Sequence, residues 1–376
     1  MADGGVRKRR DKLLFLMSAG AIGIVLLVVG AYQLVEFSDS TAFCGKLCHA
    51  VMYPEYTVYQ ASPHSRVTCA ECHVGSGADY LVKSKVSGVP MIVATLTGRY
   101  EKPIPTPVRN LRPARDTCEQ CHRPERFAGD LVRTHTTYAP DEANTAKTDI
   151  RVMRVGGGVP GAAKDIHWHI TATVYYLPLD EKRAEIGWVG VVQDDGTMIE
   201  YTDPAKAGEI TPARTAKEKR LMDCMDCHNR ATHVFQSPED LIDQAMAEGR
   251  VDVSLPYLKR QGMEALDPVN SSLDEAYAKV EELSDFYKSN YPSVYAEKQQ
   301  SIEQAIVALK DVARLTTFPT MKTTWDSYAN QLGHLQSPGC FRCHGKLVAD
   351  SGPTSGQPVD AGCESCHFFQ LPTNTK

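Results

Sequence analysis

Apolar and polar positions divide the chain into stretches of distinct period. From Leu13 to Tyr32 the sequence reads LLFLMSAGAIGIVLLVVGAY, 20 residues without a charge. At about 1.5 Å per residue, a helix of that length crosses the hydrocarbon core of a bilayer. Residues 6–12, VRKRRDK, flank it with basic charge, which predicts that the N-terminus stays in the cytoplasm and the rest lies outside. A cleaved signal peptide competes with this reading. Its apolar region is usually shorter, and no convincing small-x-small site precedes Glu36, so an uncleaved anchor is expected over residues 1–37.

Two later stretches are rich in β-branched and aromatic residues: Ile166–Leu177 (IHWHITATVYYL) and Ile186–Tyr201 (IGWVGVVQDDGTMIEY), the second holding an Asp195-Gly196 turn. They predict two or three antiparallel strands within a β-rich insert over 140–215. The Gly156-Gly157-Gly158 run with Pro160 reads as a flexible lead-in. Over 236–330 the pattern becomes helical, with apolar residues at three- and four-residue steps in Leu273–Lys288 and Ala296–Leu315. Ser237-Pro238-Glu239-Asp240 has Ser at a cap and Pro at the first helical position. Pro256, Pro268 and Pro292 separate these helices.

The remainder, residues 38–139, 216–235 and 331–376, lacks a sustained period, and its cysteines explain why. All 12 fall in Cys-x(2 or 3)-Cys-His strings. Five have two spacer residues: Cys69-Cys72-His73, Cys118-Cys121-His122, Cys224-Cys227-His228, Cys340-Cys343-His344 and Cys363-Cys366-His367. One, Cys44-Cys48-His49, has three. Cys-x-x-Cys-His is the attachment signature of haem c. The thiols add to the two porphyrin vinyl groups and the adjacent His reaches the iron as proximal ligand. Zinc knuckles use Cys-x-x-Cys pairs without requiring a His after each. Thioredoxin-like sites occur singly, and disulfides would leave the repeated His unexplained. Six covalent haems are expected. The longer first spacer leaves five as the alternative, but no cysteine is left over, which favours six. Interior space given to porphyrin faces leaves little room for regular structure.

The chain has 12 histidines. Six follow the cysteine pairs; His64, His135, His167, His169, His233 and His334 remain as candidate distal ligands. A second imidazole makes the iron six-coordinate and low-spin, suited to electron transfer. His167 and His169 stand two apart on an expected strand, so both would face one side, one as ligand and the other bonded to a propionate. His135 lies in an expected Thr-rich loop. Met52, three residues after His49, competes as a softer ligand to the first iron.

These features together resemble the NapC/NirT family of membrane-anchored quinol dehydrogenases, NrfH-type cytochromes included. The resemblance rests on one N-terminal helix leading into FCGKLCHAVM (Phe43–Met52), then SPHSRVTCAECHVG (Ser62–Gly75), and covers about residues 1–125. CMDCHNRATHVF (Cys224–Phe235) and GCFRCHG (Gly339–Gly345) look like strings of larger multihaem relatives. The resemblance implies a quinol site at the first haem beside the membrane, with Met52 a candidate ligand there. It also implies a lysine downstream of the second motif near the quinol, a stretch that holds Lys83 and Lys85. The family's nearby acidic partner has no match, since Val86–Arg99 contains no Asp or Glu. The long first spacer and the extra haems are further departures.

The expected architecture is mainly α: an irregular multihaem cytochrome c with one transmembrane helix and a small antiparallel β insert, held in the cytoplasmic membrane with its haems on the periplasmic side. Menaquinol or ubiquinol would be the electron donor and a periplasmic redox protein or reductase the acceptor. One alternative is an electron-transfer subunit docked in a larger membrane complex, with an exposed apolar face on the 236–330 helices. Another is a terminal reductase, which would need an open iron position. A homo-oligomer or a hetero-complex fits equally well. The net charge of -5 leaves no basic excess for nucleic acid.

Overall fold

The computed structural model describes residues 3–47, 49–75, 77–108, 111–267 and 269–368. The apolar run lies in one continuous helix, α1 (Asp3–Asp39), and its segment 12–39 is apolar enough to cross a membrane with no protein packed around its most apolar window. Leu16 is 65% exposed and Leu27 75%; such a face is stable in lipid, where a helix satisfies its own backbone polar groups.

After α1 the chain turns at Phe43–Leu47, which carries the start of the first motif. Gly45 packs so closely that a Cβ there would stand 2.1 Å from the Tyr56 ring, seating the motif against α2 (His49–Gln60). The second motif is itself a short helix, α3 (Cys69–His73), opened by a reciprocal cap between Thr68 and Glu71. Next come α4 (Ala78–Thr97), closed by left-handed Gly98, and α5 (Ala114–Thr117), which delivers the third motif.

Pairing begins earlier than the sequence pattern indicated. β1 (Leu131–Tyr138) and β2 (Ala146–Met153) form an antiparallel hairpin, and His135, expected in a loop, sits on β1 opposite Asp149. The glycine run is a packed turn rather than a flexible lead-in. All three glycines have positive φ, and a Cβ on Gly156 would meet the Lys164 carbonyl at 2.4 Å. This turn lays Ile166 and His167 beside Arg154 and Val155, to whose carbonyls their amides donate. The expected strand from Ile166 is therefore not formed at its start: α6 (Trp168–Thr171) follows, with His167 as its cap. β3 (Val174–Pro178), β4 (Ile186–Val192) and β5 (Met198–Thr202) then pair antiparallel, with Asp195-Gly196 in the β4–β5 turn. After α7 (Pro212–Glu218), β6 (Arg220–Leu221) adds to β3.

The helical insert holds α8 (Pro238–Ala247), α9 (Leu258–Leu266), α10 (Leu273–Asn290), α11 (Pro292–Glu297) and α12 (Gln299–Thr316). Ser237 caps α8 through the Asp240 amide, and Pro292 opens α11 as its first residue; Pro268 lies outside the described residues. Their apolar faces bury Leu241, Ile242, Val280, Tyr287, Ile302 and Leu309 in one core. The hairpin tip plugs into it: Asn144 donates to the carbonyls of Val253 and Leu255 at 2.9 and 2.8 Å, and accepts from the Lys259 amide.

Two C-terminal pieces complete the sheets. β7 (Val348–Ala349) pairs with β5, giving the order β6-β3-β4-β5-β7; β8 (His367–Phe368) pairs with β2, giving β1-β2-β8. The last two motifs are thereby fastened to strands contributed by the middle of the chain. The whole is mainly helical with small antiparallel sheets.

Candidate functional site

The histidines meet in pairs. Ring centroids lie 6.3 Å apart for His73–His233, 5.9 Å for His64–His122, 6.5 Å for His167–His228, 5.8 Å for His169–His344 and 6.1 Å for His334–His367. Each pair joins one histidine from a cysteine motif with one from elsewhere. An imidazole nitrogen bonds a metal at about 2.0 Å and sits about 1.1 Å from its ring centre, so two trans imidazoles on one metal place their centroids roughly 6.2 Å apart. The five separations match that figure. The described motif cysteines form no disulfides, as covalent attachment requires. The donor set fits haem c with two axial imidazoles.

The pairs also stitch distant motifs together. His64 precedes the second motif but faces the third; His233 follows the fourth but faces the second; His334 precedes the fifth but faces the sixth. His167 and His169, expected to share one side, face different motif histidines. The cause is local: His169 Nδ1 hydrogen-bonds the Ile166 carbonyl at 2.8 Å and closes a helical turn, so the two rings diverge instead of aligning as on a strand.

Burial depresses the pKa of His73, His167, His169, His228 and His367. It takes His233 down to about 4, with Arg230 adding to the shift. Neutral imidazoles with a lone pair free are what metal ligation needs.

Neighbouring thiols show how the motifs follow one another. A hydrogen bond with Cys44 lowers the Cys69 thiol to about 7, linking the first and second motifs. Burial raises Cys72, with Cys118 of the third motif adding to it. Cys224, pushed up to about 11 by burial, also feels Cys118. Cys227, raised to about 11 by burial, feels Cys340, and Cys366, raised by burial, feels Cys340 as well. The motifs thus succeed each other in space in the order they have in sequence, starting at the end of α1.

Spacer residues inside two motifs lock their neighbours. Asp226, from the fourth, accepts the hydroxyl of buried Tyr176 on β3 and pairs with Arg183 at 3.2 Å. Arg342, from the fifth, donates to the Asp226 carbonyl at 2.6 Å and to the Arg183 carbonyl at 2.9 Å. Nothing in the sequence pattern marked these spacer residues as ties, because their partners lie far away along the chain.

At the membrane end, Met52 is half-buried one turn into α2; Cys48 and the His49 side chain lie outside the described residues. Lys83 and Lys85 separate. Lys83 is exposed, its Nζ 5.6 Å from the Tyr80 ring centre, while Lys85 reaches Ser38 and Asp39 at the end of α1. The acid that Lys85 meets is Asp39, which precedes it in the chain. His135 is half-buried on β1, and among the described residues its ring faces no motif histidine.

Residues 6–104 match the NapC/NirT cytochrome c family, N-terminal region. The chain is 43% identical over 362 residues to the cytochrome c-type protein ImcH of Geobacter sulfurreducens, covering 96% of this chain and 70% of that protein. No solved structure matches. With its apolar anchor, its motif histidines met by second imidazoles and this likeness over most of its length, the chain belongs to the NapC/NirT cytochrome c family and is a membrane-anchored multihaem c-type cytochrome.

Proposed function

We propose that this chain holds six haems and takes electrons from membrane quinol at the first, passing them to a periplasmic acceptor near its C-terminus. The observation that carries this reading is the unbroken succession of attachment motifs, which starts where α1 ends and finishes at Cys363–His367. Haem c, when bound, exchanges single electrons without exchanging axial ligands.

The protein's own residues do the rest. α1 fixes the first motif at the membrane boundary, with the cytoplasmic side marked by VRKRRDK. Five sites take two imidazoles: His73 with His233, His122 with His64, His228 with His167, His344 with His169, and His367 with His334. At the first, His49 and Met52 are the candidate ligands. Lys85 and Asp39 stand where quinol hydroxyl protons must leave toward the outer aqueous phase; the Asp39 carboxylate serves as acceptor there and the Lys85 ammonium holds it in place. Val86, Val89 and Leu96 on α4, all more than half exposed, offer an apolar wall to the quinol tail. Lys83 belongs to the surface beside this site.

A docked subunit without its own quinol site would show an apolar face on the helical insert. The large apolar residues exposed there among the described residues, Val253, Val269, Val307 and Trp325, stand far apart along the insert and do not recur at helical steps.

The test is anaerobic addition of a menaquinol analogue to the oxidised protein in detergent, following the haem α-band. Fast reduction, abolished by a quinol-site inhibitor and weakened in Lys85→Ala, is expected. Failure of quinol to reduce haems that dithionite still reduces would move the quinol site to another chain.

A further inference from the structure

Among the paired imidazoles, His233 has a distinctive partner. Its Nδ1 lies 3.1 Å from the Glu55 carbonyl oxygen and 3.3 Å from Glu55 Oε2. His169 and His344 instead direct Nδ1 at the carbonyls of Ile166 and Asp360, and the Nδ1 atoms of His64 and His167 are buried without a hydrogen-bond partner. Glu55 is 8% exposed. Arg230 faces it at 3.3 Å, donates through Nε to the His233 carbonyl at 2.7 Å, and rests 4.3 Å from the Tyr328 ring centre. The three residues come from separate places: Glu55 from the helix of the first motif, Arg230 and His233 from the segment after the fourth. They converge on the imidazole that faces His73 of the second.

We infer that Glu55 and Arg230 are positioning residues for the second haem. The Glu55 carbonyl accepts from His233 Nδ1, which leaves Nε2 for His73, and the Glu55 carboxylate, 3.3 Å from the same Nδ1 and balanced by Arg230, sets the reduction potential of that one site. The inference rests on the proposed pairing of His73 with His233. A carbonyl accepting from the far ring nitrogen fixes the tautomer of a ligating imidazole, and in a buried setting a single charge beside that ring acts strongly on it. Removing the Glu55 charge favours the reduced iron; removing the Arg230 charge favours the oxidised one. The two substitutions must therefore move the same site in opposite directions, which loss of packing alone would not do.

The experiment is a potentiometric titration of the full holoprotein in detergent at mildly alkaline pH, read by absorbance and by electron paramagnetic resonance. In Glu55→Gln one step shifts to more positive potential and one low-spin signal moves, the others staying in place. In Arg230→Gln the same step shifts to more negative potential. Thr57→Val, a buried change on the same helix, controls for general disturbance of α2. Titrations of both charge variants that superimpose on the parent, or an equal shift in Thr57→Val, would overturn the inference. Should Glu55→Gln fail to mature, the sign of the Arg230→Gln shift decides. His233→Leu checks the pairing separately: a new high-spin signal there with an unmoved step in Glu55→Gln rejects the role of Glu55 alone, whereas no high-spin signal rejects the pairing itself.

Discussion

Lys85 on α4 donates to Ser38 Oγ at 2.7 Å and forms an ion pair with Asp39, tying the helix after the second motif to the last turn of the membrane helix. The two side chains are 35% and 25% exposed, so the pair adds little to stability. Its consequence is placement. A cation and a carboxylate are held side by side where the chain leaves the bilayer, next to the first motif.

Asp39→Asn is therefore expected to slow quinol-driven haem reduction by about 100-fold, the low end of what a positioned base contributes. Lys85→Ala should do the same, and Lys83→Ala, which removes only a contact with Tyr80, should stay within about twofold of the parent. Stopped-flow reduction by a quinol analogue separates these cases, with dithionite reduction as the check on haem content. Equal rates in Asp39→Asn and the parent would remove the pair from the proton path.

The imidazole pairs give a second expectation. His64→Leu and His167→Leu should each convert one low-spin haem to high-spin, seen as a new ligand-to-metal band and a loss of one-sixth of the low-spin resonance if six haems are present. His135→Leu should leave that intensity unchanged, because the five described motif histidine rings each face another histidine. A high-spin species in His135→Leu would instead identify it as a ligand and point to the first motif as its partner.

Much of this was legible in the sequence for a physical reason: covalent attachment and membrane crossing both impose local patterns. The motif cysteines and histidines, the anchor, and the capped helices from Ser237 onward all follow from residues adjacent along the chain. The distal pairing was not legible. His233 finds His73 and His334 finds His367 only through folding that brings segments far apart in sequence together, and no local period records that. The strand expected from Ile166 failed because a turn of positive-φ glycines and the His169–Ile166 bond act before β propensity can. The Lys85–Asp39 pair is likewise unmarked in the sequence, because the two residues stand on different helices, 46 positions apart.

The helical insert contains a buried ion pair: Lys259 Nζ lies 2.6 Å from Asp243 Oδ1, with the residues 2% and 4% exposed. Asp243 also accepts from the Tyr138 amide at 3.2 Å, and Lys259 donates to the Glu239 carbonyl at 3.0 Å. Breaking one side leaves an uncompensated buried charge, so Lys259→Met should destabilise the insert by about 3–5 kcal/mol. Replacing both, as Lys259→Met with Asp243→Leu, should recover part of that loss. Denaturant unfolding followed by far-ultraviolet circular dichroism gives both numbers. A double variant no more stable than the single one would mean that the bond from Tyr138, and not the charge, carries the contact.

Acid stability provides a further check on the same insert. Asp252 has its pKa lowered from 3.8 to about 2: burial pushes it up, but hydrogen bonds from Ser254 and the charge of Lys298, 3.1 Å away, outweigh that. A carboxyl depressed in the folded state stabilises it above the unfolded pKa, and that contribution disappears as pH falls from 3.8 through about 2. Asp252→Asn should thus lower the melting temperature at neutral pH while the difference from the parent shrinks over this acid window. The side chain is 29% exposed, so solvent screening keeps the effect small. A difference that stayed constant down to about pH 2 would show that the amide had lost packing, and not a charge whose protonation is linked to folding.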